Sequence, residues 1–182
     1  MKLIAHLNKI AKEGIKYNYS STQFDIPKHI ASNILDYARN IPDVELYVEG
    51  EKYGRENEIH CTVLYGIKDE KSEKTFELIQ KYLPKPFKVT LGKISIFKSE
   101  DYDVLKIEVK SPKLEEMHYF LEYNLDNENT YSEYIPHVTI AYMKKGEADK
   151  YVDDKKFESF TFIVDEIEFS SFNGEKIKTR LG

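Results

Sequence analysis

I-H-C-T-V-L-Y-G-I (59–67) and H-V-T-I-A-Y-M (137–143) decide how this chain is to be read. Both stretches are short and rich in β-branched and aromatic residues, the composition of strands. Both carry H-x-T-x-x-Y: His60, Thr62 and Tyr65 in the first, His137, Thr139 and Tyr142 in the second. With five His and eight Thr in 182 residues, about 0.2 H-x-T triplets are expected by chance. Two in matching strands therefore call for a reason. Side chains alternate along a strand, so His60 and Thr62 share one face while Cys61, Val63 and Tyr65 take the other. The same parity sets His137 and Thr139 against Val138, Ile140 and Tyr142.

Each motif ends a similar series. Tyr19–Ile26 predicts a strand, Pro27 opens a helix through Ile30, Ile34, Leu35 and Ala38 up to Pro42, and a loop with Gly50, Gly54 and Arg55 leads to the first motif. Val104–Val109 predicts a strand, Pro112 opens a helix through Leu114, Met117, Leu121 and Leu125, and a polar loop over 126–136 leads to the second. Lys71–Leu83 predicts a helix, Phe87–Phe97 one or two strands, and Val152–Phe157 a short helix. Thr161–Phe172 predicts one long strand, followed by a turn at Gly174 and a last strand over Lys176–Arg180. The implied fold is α+β: two pseudo-symmetric lobes, each an antiparallel sheet covered by helices on its outer face, with both H-x-T motifs in a central groove. No linker divides the chain, so residues 1–182 form one two-lobed domain, preceded by an amphipathic helix over about 2–13 with Leu3, Leu7 and Ile10 on one side.

Composition limits the alternatives. A net charge of −5, from 27 Lys+Arg against 32 Asp+Glu, is too acidic for a protein that coats duplex DNA by charge. No apolar run reaches the ~20 residues of a membrane helix, and the N-terminus lacks a secretory pattern. The single cysteine, Cys61, excludes an intramolecular disulfide or multi-Cys zinc site. A cytoplasmic monomer that binds a small anionic ligand fits these numbers.

Two imidazoles facing one groove are suited to general acid–base work near neutral pH. Two threonine hydroxyls beside them suit the non-bridging oxygens of a phosphate, where charge accumulates during displacement. Each strand offers one imidazole and one hydroxyl, a poor ligand set for zinc, so no metal or other cofactor is expected. His6, His29 and His118 fall on predicted helices as structural or surface residues, and Cys61 falls on the apolar face as a buried thiol. Parity leaves Tyr19, Ser21 and Gln23 on the groove side of the first lobe, and Val104 and Lys106 on that of the second. Aligning Pro27 with Pro112 makes Ser21 and Lys106 equivalent, and Lys106 a phosphate contact. Arg55, Lys144 and Lys145 flank the motifs as rim residues.

The pairing of I-H-C-T-V-L-Y-G (59–66) with P-H-V-T-I-A-Y (136–142) resembles the two-histidine (2H) phosphoesterase superfamily, which includes 2′-5′ RNA ligase-like proteins and cyclic phosphodiesterases. Q-F-D-I-P and V-L-K-I-E-V-K-S-P, each followed by a helix, resemble the opening units of its two lobes, so the likeness spans about residues 18–172. It implies catalytic roles for His60, Thr62, His137 and Thr139 and a metal-independent phosphodiesterase. The substrate it implies is a 2′,3′-cyclic phosphate, a 2′-5′ linkage or a cyclic oligonucleotide. Within the superfamily, S-S-T-Q-F-D-I-P (20–27) and Y-G-R-E-N-E-I-H (53–60) resemble a phage-encoded branch related to anti-CBASS nucleases, which cleave the cyclic oligonucleotide messengers of bacterial immunity. Such an enzyme would work in the host cytoplasm. Two features depart from many members: Cys61 in place of an aliphatic residue, and the lack of tryptophan, which leaves base stacking to Tyr or Phe. Outside catalysis, a groove that sequesters a cyclic nucleotide or RNA end, or a structural protein of a phage particle, fits the same composition. RNA ligation is disfavoured, because no nucleotidylation lysine motif is evident.

Overall fold

Among the described residues the β-formers pair into a single antiparallel sheet of eight strands and a small two-stranded ribbon. A computed structural model describes residues 18–49, 52–129, 131 and 133–182. The helix expected over 2–13 lies outside the described residues. In chain order the strands are β1 (Ser20–Asp25), β2 (Val48–Glu49), β3 (Lys52–Tyr53), β4 (His60–Ile67), β5 (Phe87–Lys98), β6 (Tyr102–Lys110), β7 (His137–Lys144), β8 (Thr161–Val164), β9 (Glu166–Ser170) and β10 (Lys176–Arg180). The helices are α1 (Lys28–Arg39), α2 (Glu73–Tyr82) and α3 (Pro112–Asn124). Across the large sheet the order is β10-β9-β1-β4-β7-β6-β5-β8, while β2 pairs β3. Among the described residues no helix is long and apolar enough to cross a membrane.

The two prolines act at the helix starts, where a missing N–H costs nothing because that donor has no partner inside the helix. Pro27 caps α1, and its carbonyl accepts the Ile30 and Ala31 amides at 2.8 and 2.9 Å. Ile30, Ile34 and Ala38, each four residues on from the last, form the buried stripe of α1. Pro112 opens α3, whose buried residues are Leu114, Met117, His118 and Leu121. The helices cross between halves: α1, which follows β1, packs on β7, and α3, which follows β6, packs on β4. They cover the face that carries Cys61, Val63, Val138 and Ile140, all fully buried. Each such aliphatic side chain contributes about 1.5–3 kcal/mol by leaving water.

Three expectations change. The strands do not form one sheet per half; a single sheet runs through both, joined at its middle by one antiparallel pair, Cys61 with Val138. The strand expected over Thr161–Phe172 breaks at Asp165 into β8, which pairs with β5, and β9, which pairs with β1 and β10. In the sheet order β8 is the last strand and β9 the second, yet the two follow one another in the chain, so the sheet curls until its ends approach. Phe24 of β1 closes that approach, with ring contacts at 6.2 Å to Phe87 and 6.3 Å to Phe162. No helix forms over Val152–Phe157: a 3-10 turn at Asp149–Tyr151 precedes it, and its backbone bonds to β5 instead. The Asp153 amide donates to the Ile94 carbonyl at 2.9 Å and the Ile94 amide to that of Asp154 at 2.8 Å, with Asp153 at a φ of 67°.

Gly66 ends the regular part of β4 at a φ of 90°, where a Cβ would lie 2.9 Å from the Glu128 carbonyl carbon. The Glu128 amide donates to the Gly66 carbonyl at 2.8 Å, so the close approach is part of the loop's seating. Gly66→Ala is therefore predicted to destabilise the fold by about 1–3 kcal/mol in chemical denaturation. An unchanged midpoint would show that the loop yields freely.

Candidate active site

The two motif strands lie side by side at the middle of the sheet. Around the Cys61–Val138 pair, one step in each direction sets His60 alongside Thr139 and Thr62 alongside His137. On an antiparallel pair the two histidines are then diagonal neighbours, within reach of one small group. His60, Thr62, His137 and Thr139 are all half-exposed, on the face opposite the core.

Both rings are fixed in the same way. His60 Nδ1 lies 2.8 Å from the Glu58 carbonyl oxygen, and His137 Nδ1 lies 2.7 Å from that of Ile135. A carbonyl only accepts, so Nδ1 carries the hydrogen in each ring and Nε2 is left to exchange a proton. The His137 ring also meets the Phe97 ring edge-on at 4.9 Å. Burial, with the nearby Lys106 and His60 charges acting in the same direction, lowers its pKa to about 4; the hydrogen bond to Ile135 opposes them. Glu108 is its ladder partner on β6.

The registers of both strands contain an extra residue that parity alone does not show. Gln23 pairs with Thr62 but Thr22 with Leu64, which leaves Val63 as a β-bulge; Lys106 pairs with Thr139 but Leu105 with Ala141, which leaves Ile140 as another. A bulge shifts the alternation by one. Tyr65, expected on the core face, therefore pairs with Ser21 and is 47% exposed, while Leu64 is buried. Tyr142 likewise pairs with Val104, and Ala141 is buried. In H-x-T-x-x-Y the bulge returns the tyrosine to the face of its His and Thr, which is the signal that was available in the spacing.

Each tyrosine has aromatic company. Tyr19 meets Tyr65 edge-on at 6.1 Å. Tyr142 lies 5.1 Å from Tyr53 and 5.6 Å from Tyr102, and Tyr47 packs on both of these at 5.2 and 5.0 Å. Tyr53 holds its place at a φ of 65°, a conformation that costs a bulky residue on the order of 1–3 kcal/mol.

Of the expected binding residues, Ser21 and Gln23 do lie on the motif face by register. The ladder partner of Thr62 is Gln23, so Gln23 rather than Ser21 is the counterpart of Lys106; the second half has two more residues between its strand and its proline. Gln23 Nε2 donates to Glu168 at 2.9 Å, and Lys106 Nζ donates to Ser95 at 2.8 Å while lying 4.1 Å from the Phe97 ring centroid. Lys106 is 4% exposed, and desolvation lowers its pKa. Arg55 is turned away: its guanidinium donates to the Ala38 carbonyl at 2.7 Å and to that of Ile41, and pairs with Asp43 at 2.6 Å, closing the end of α1. Lys144 is exposed at the far end of β7, and Lys145 donates to the Glu100 carbonyl at 3.1 Å. Cys61 is buried, and its thiol is pushed up to about 12. Among the described residues no group of three His, Cys, Asp or Glu side chains converges as a metal site.

The lowered pKa of His137 is predicted to appear in an NMR titration as a ring that stays neutral until about pH 4. The unfolded chain takes that proton near pH 6.5, so this group lowers stability progressively as pH falls from about 6.5 to 4. A midpoint near 6.5 in the folded protein would contradict the enclosure described.

The fold is shared with solved structures of low sequence identity. TT0787 of Thermus thermophilus superposes with a TM-score of 0.59 at 13% identity, over 90% of this chain and 95% of that one. Escherichia coli LigT complexed with 3′-AMP gives 0.59 at 18% identity, over 92% and 96%. Kluyveromyces marxianus Usb1 with uridine monophosphate gives 0.57 at 12% identity, over 90% and 98%. No curated protein matches by sequence. The model of the 2′-5′ RNA ligase superfamily matches residues 44–176, a span that contains both motifs and the strands between them, and the chain belongs to that superfamily.

Proposed function

We propose that the chain is a phosphodiesterase acting on nucleotides, with His60 and His137 as its proton-transfer pair. The observation that carries this reading is the matched anchoring of the two rings, each by Nδ1 to the carbonyl two residues before it, on neighbouring central strands. Both Nε2 atoms are thereby available to one phosphate in a groove between the two halves of the sheet. The 3′-AMP complex of LigT and the uridine monophosphate complex of Usb1, in similar folds, support a nucleotide substrate.

His137 is the general base. It lies against Phe97 and near the charge of Lys106, surroundings that favour its neutral form. Its Nε2 takes the proton of the attacking water or neighbouring 2′-hydroxyl as the new O–P bond forms. His60 gives its Nε2 proton to the leaving oxygen as the old P–O bond breaks. The Thr62 and Thr139 hydroxyls donate to the non-bridging oxygens. Lys106, one ammonium hydrogen held by Ser95, turns its remaining donors to the same charge. Tyr19, Tyr65 and Tyr142 flank the row as faces for bases. The substrate is a 2′,3′-cyclic phosphate, a 2′-5′ linkage or a cyclic oligonucleotide. A phage counter-defence role rests on the 20–27 and 53–60 stretches alone.

A panel of 2′,3′-cyclic nucleotides, 2′-5′ oligomers and cyclic dinucleotides, read by mass spectrometry in excess EDTA, tests this. Turnover by the native protein is expected, with a loss of at least about 100-fold in His60→Ala and in His137→Ala. Native rates in both variants, or tight binding with every ligand recovered intact, would refute it. The pH–rate curve is expected to be a bell whose rising limb follows deprotonation of His137, near pH 4.

A further inference from the structure

A buried pair of rings reaches the first motif from the other half of the chain. His118, on α3, is 4% exposed, and its Nδ1 lies 2.6 Å from the Val63 carbonyl oxygen, so Nδ1–H donates. Tyr134, three residues before the second motif, donates its hydroxyl to the Thr62 carbonyl at 2.8 Å. The two rings stack face to face, with centroids 3.8 Å apart and planes 4° from parallel. The two carbonyls they hold belong to Thr62 and to the extra residue of the β4 bulge.

We propose that His118 and Tyr134 are positioning residues that hold this bulge, and through it place Thr62 and Tyr65 against the substrate. This rests on the phosphodiesterase reading above. The bulge is what puts Tyr65 on the motif face, and a slip of one residue would send it to the core face. Cys61–Val138 is the one ladder pair between β4 and β7, so the bulge carbonyls past it need donors from elsewhere. The second motif meets the same need differently. Its bulge carbonyl, that of Ile140, accepts the backbone amide of Glu56 at 2.9 Å, a bond no side-chain substitution removes. The side-chain brace therefore belongs to the first motif. Burial lowers the His118 pKa, with the Val63 bond and Glu122 opposing; Glu122 lies 3.9 Å from Nε2.

The test compares the native protein with His118→Phe, His118→Asn, Tyr134→Phe and His60→Ala on 2′,3′-cyclic AMP, on a 2′-5′-linked diadenylate and on a cyclic dinucleotide. Melting temperature is followed in parallel. His118→Phe keeps a ring to stack but loses the donor, and Tyr134→Phe loses one oxygen only. Both are expected to lower kcat roughly 10- to 100-fold with little change in KM. His118→Asn places an amide N–H where Nδ1–H stood and is expected to recover most of that loss. Native kcat in His118→Phe and Tyr134→Phe would overturn the inference, as would equal losses in the Phe and Asn variants that follow the melting temperature. In either case the inactivity of His60→Ala would leave the phosphodiesterase reading standing. A native protein that turns over none of the three probes overturns that reading and this inference together.

Discussion

Two extra residues, Val63 in β4 and Ile140 in β7, set the phase of everything on the face opposite the core. Before each bulge the strand presents His and Thr to that face and buries the residue between them. After it the strand presents Tyr and buries its neighbours. Without the bulges a strand could show either His-Thr or Tyr on this face, not both. The same irregularity loosens the junction of the two motif strands. They share one ladder pair, and beyond it other segments take over: Glu56 beside Ile140 in one direction, and Glu128 beside Gly66 in the other. The centre of the sheet is therefore held by other segments on both sides of that one pair.

The two halves are alike in backbone and unlike in charge. Where one sets Gln23 against Glu168, the other sets Lys106 against Ser95. Lys176 and Lys178 surround Glu168 at 3.4 and 3.8 Å, which offsets the cost of its burial. Lys106 has a hydroxyl, an aromatic ring and the charge of Glu108, and the cost of desolvating its ammonium still lowers its pKa. A phosphate oxyanion is the partner that would reverse that cost. The asymmetry also separates two otherwise equivalent histidines, since the Lys106 cation stands on the His137 side.

Much of this was legible in the sequence because it follows from local rules. Pro27 and Pro112 mark helix starts, Cys61 and Val138 fall on the buried face by parity, and the duplicated H-x-T falls on two strands that the sheet sets side by side. What parity misses is the bulge, because counting by twos assumes an unbroken ladder, and a ladder depends on its partner strand. Tyr65 and Tyr142 were misplaced for that reason. The counterpart of Lys106 was misjudged because the prolines differ in their distance from the strands they follow. Arg55 looked like a rim cation, since nothing in its neighbours reveals that the carbonyl end of α1 lies beside it. His118, read from its helix as structural or surface, donates to a bulge no helix pattern could indicate. Thr161–Phe172 is continuous in composition, and only the pairing of β8 and β9 with opposite ends of the sheet divides it.

Everything proposed for this site requires both motifs to converge on one phosphate. A crystal structure of the protein soaked in inorganic phosphate is the decisive observation. One bound phosphate is expected within hydrogen-bond distance of Nε2 of both His60 and His137 and of the hydroxyls of Thr62 and Thr139, with Lys106 at its edge. A phosphate held by one motif alone, or two phosphates each on its own motif, would contradict it.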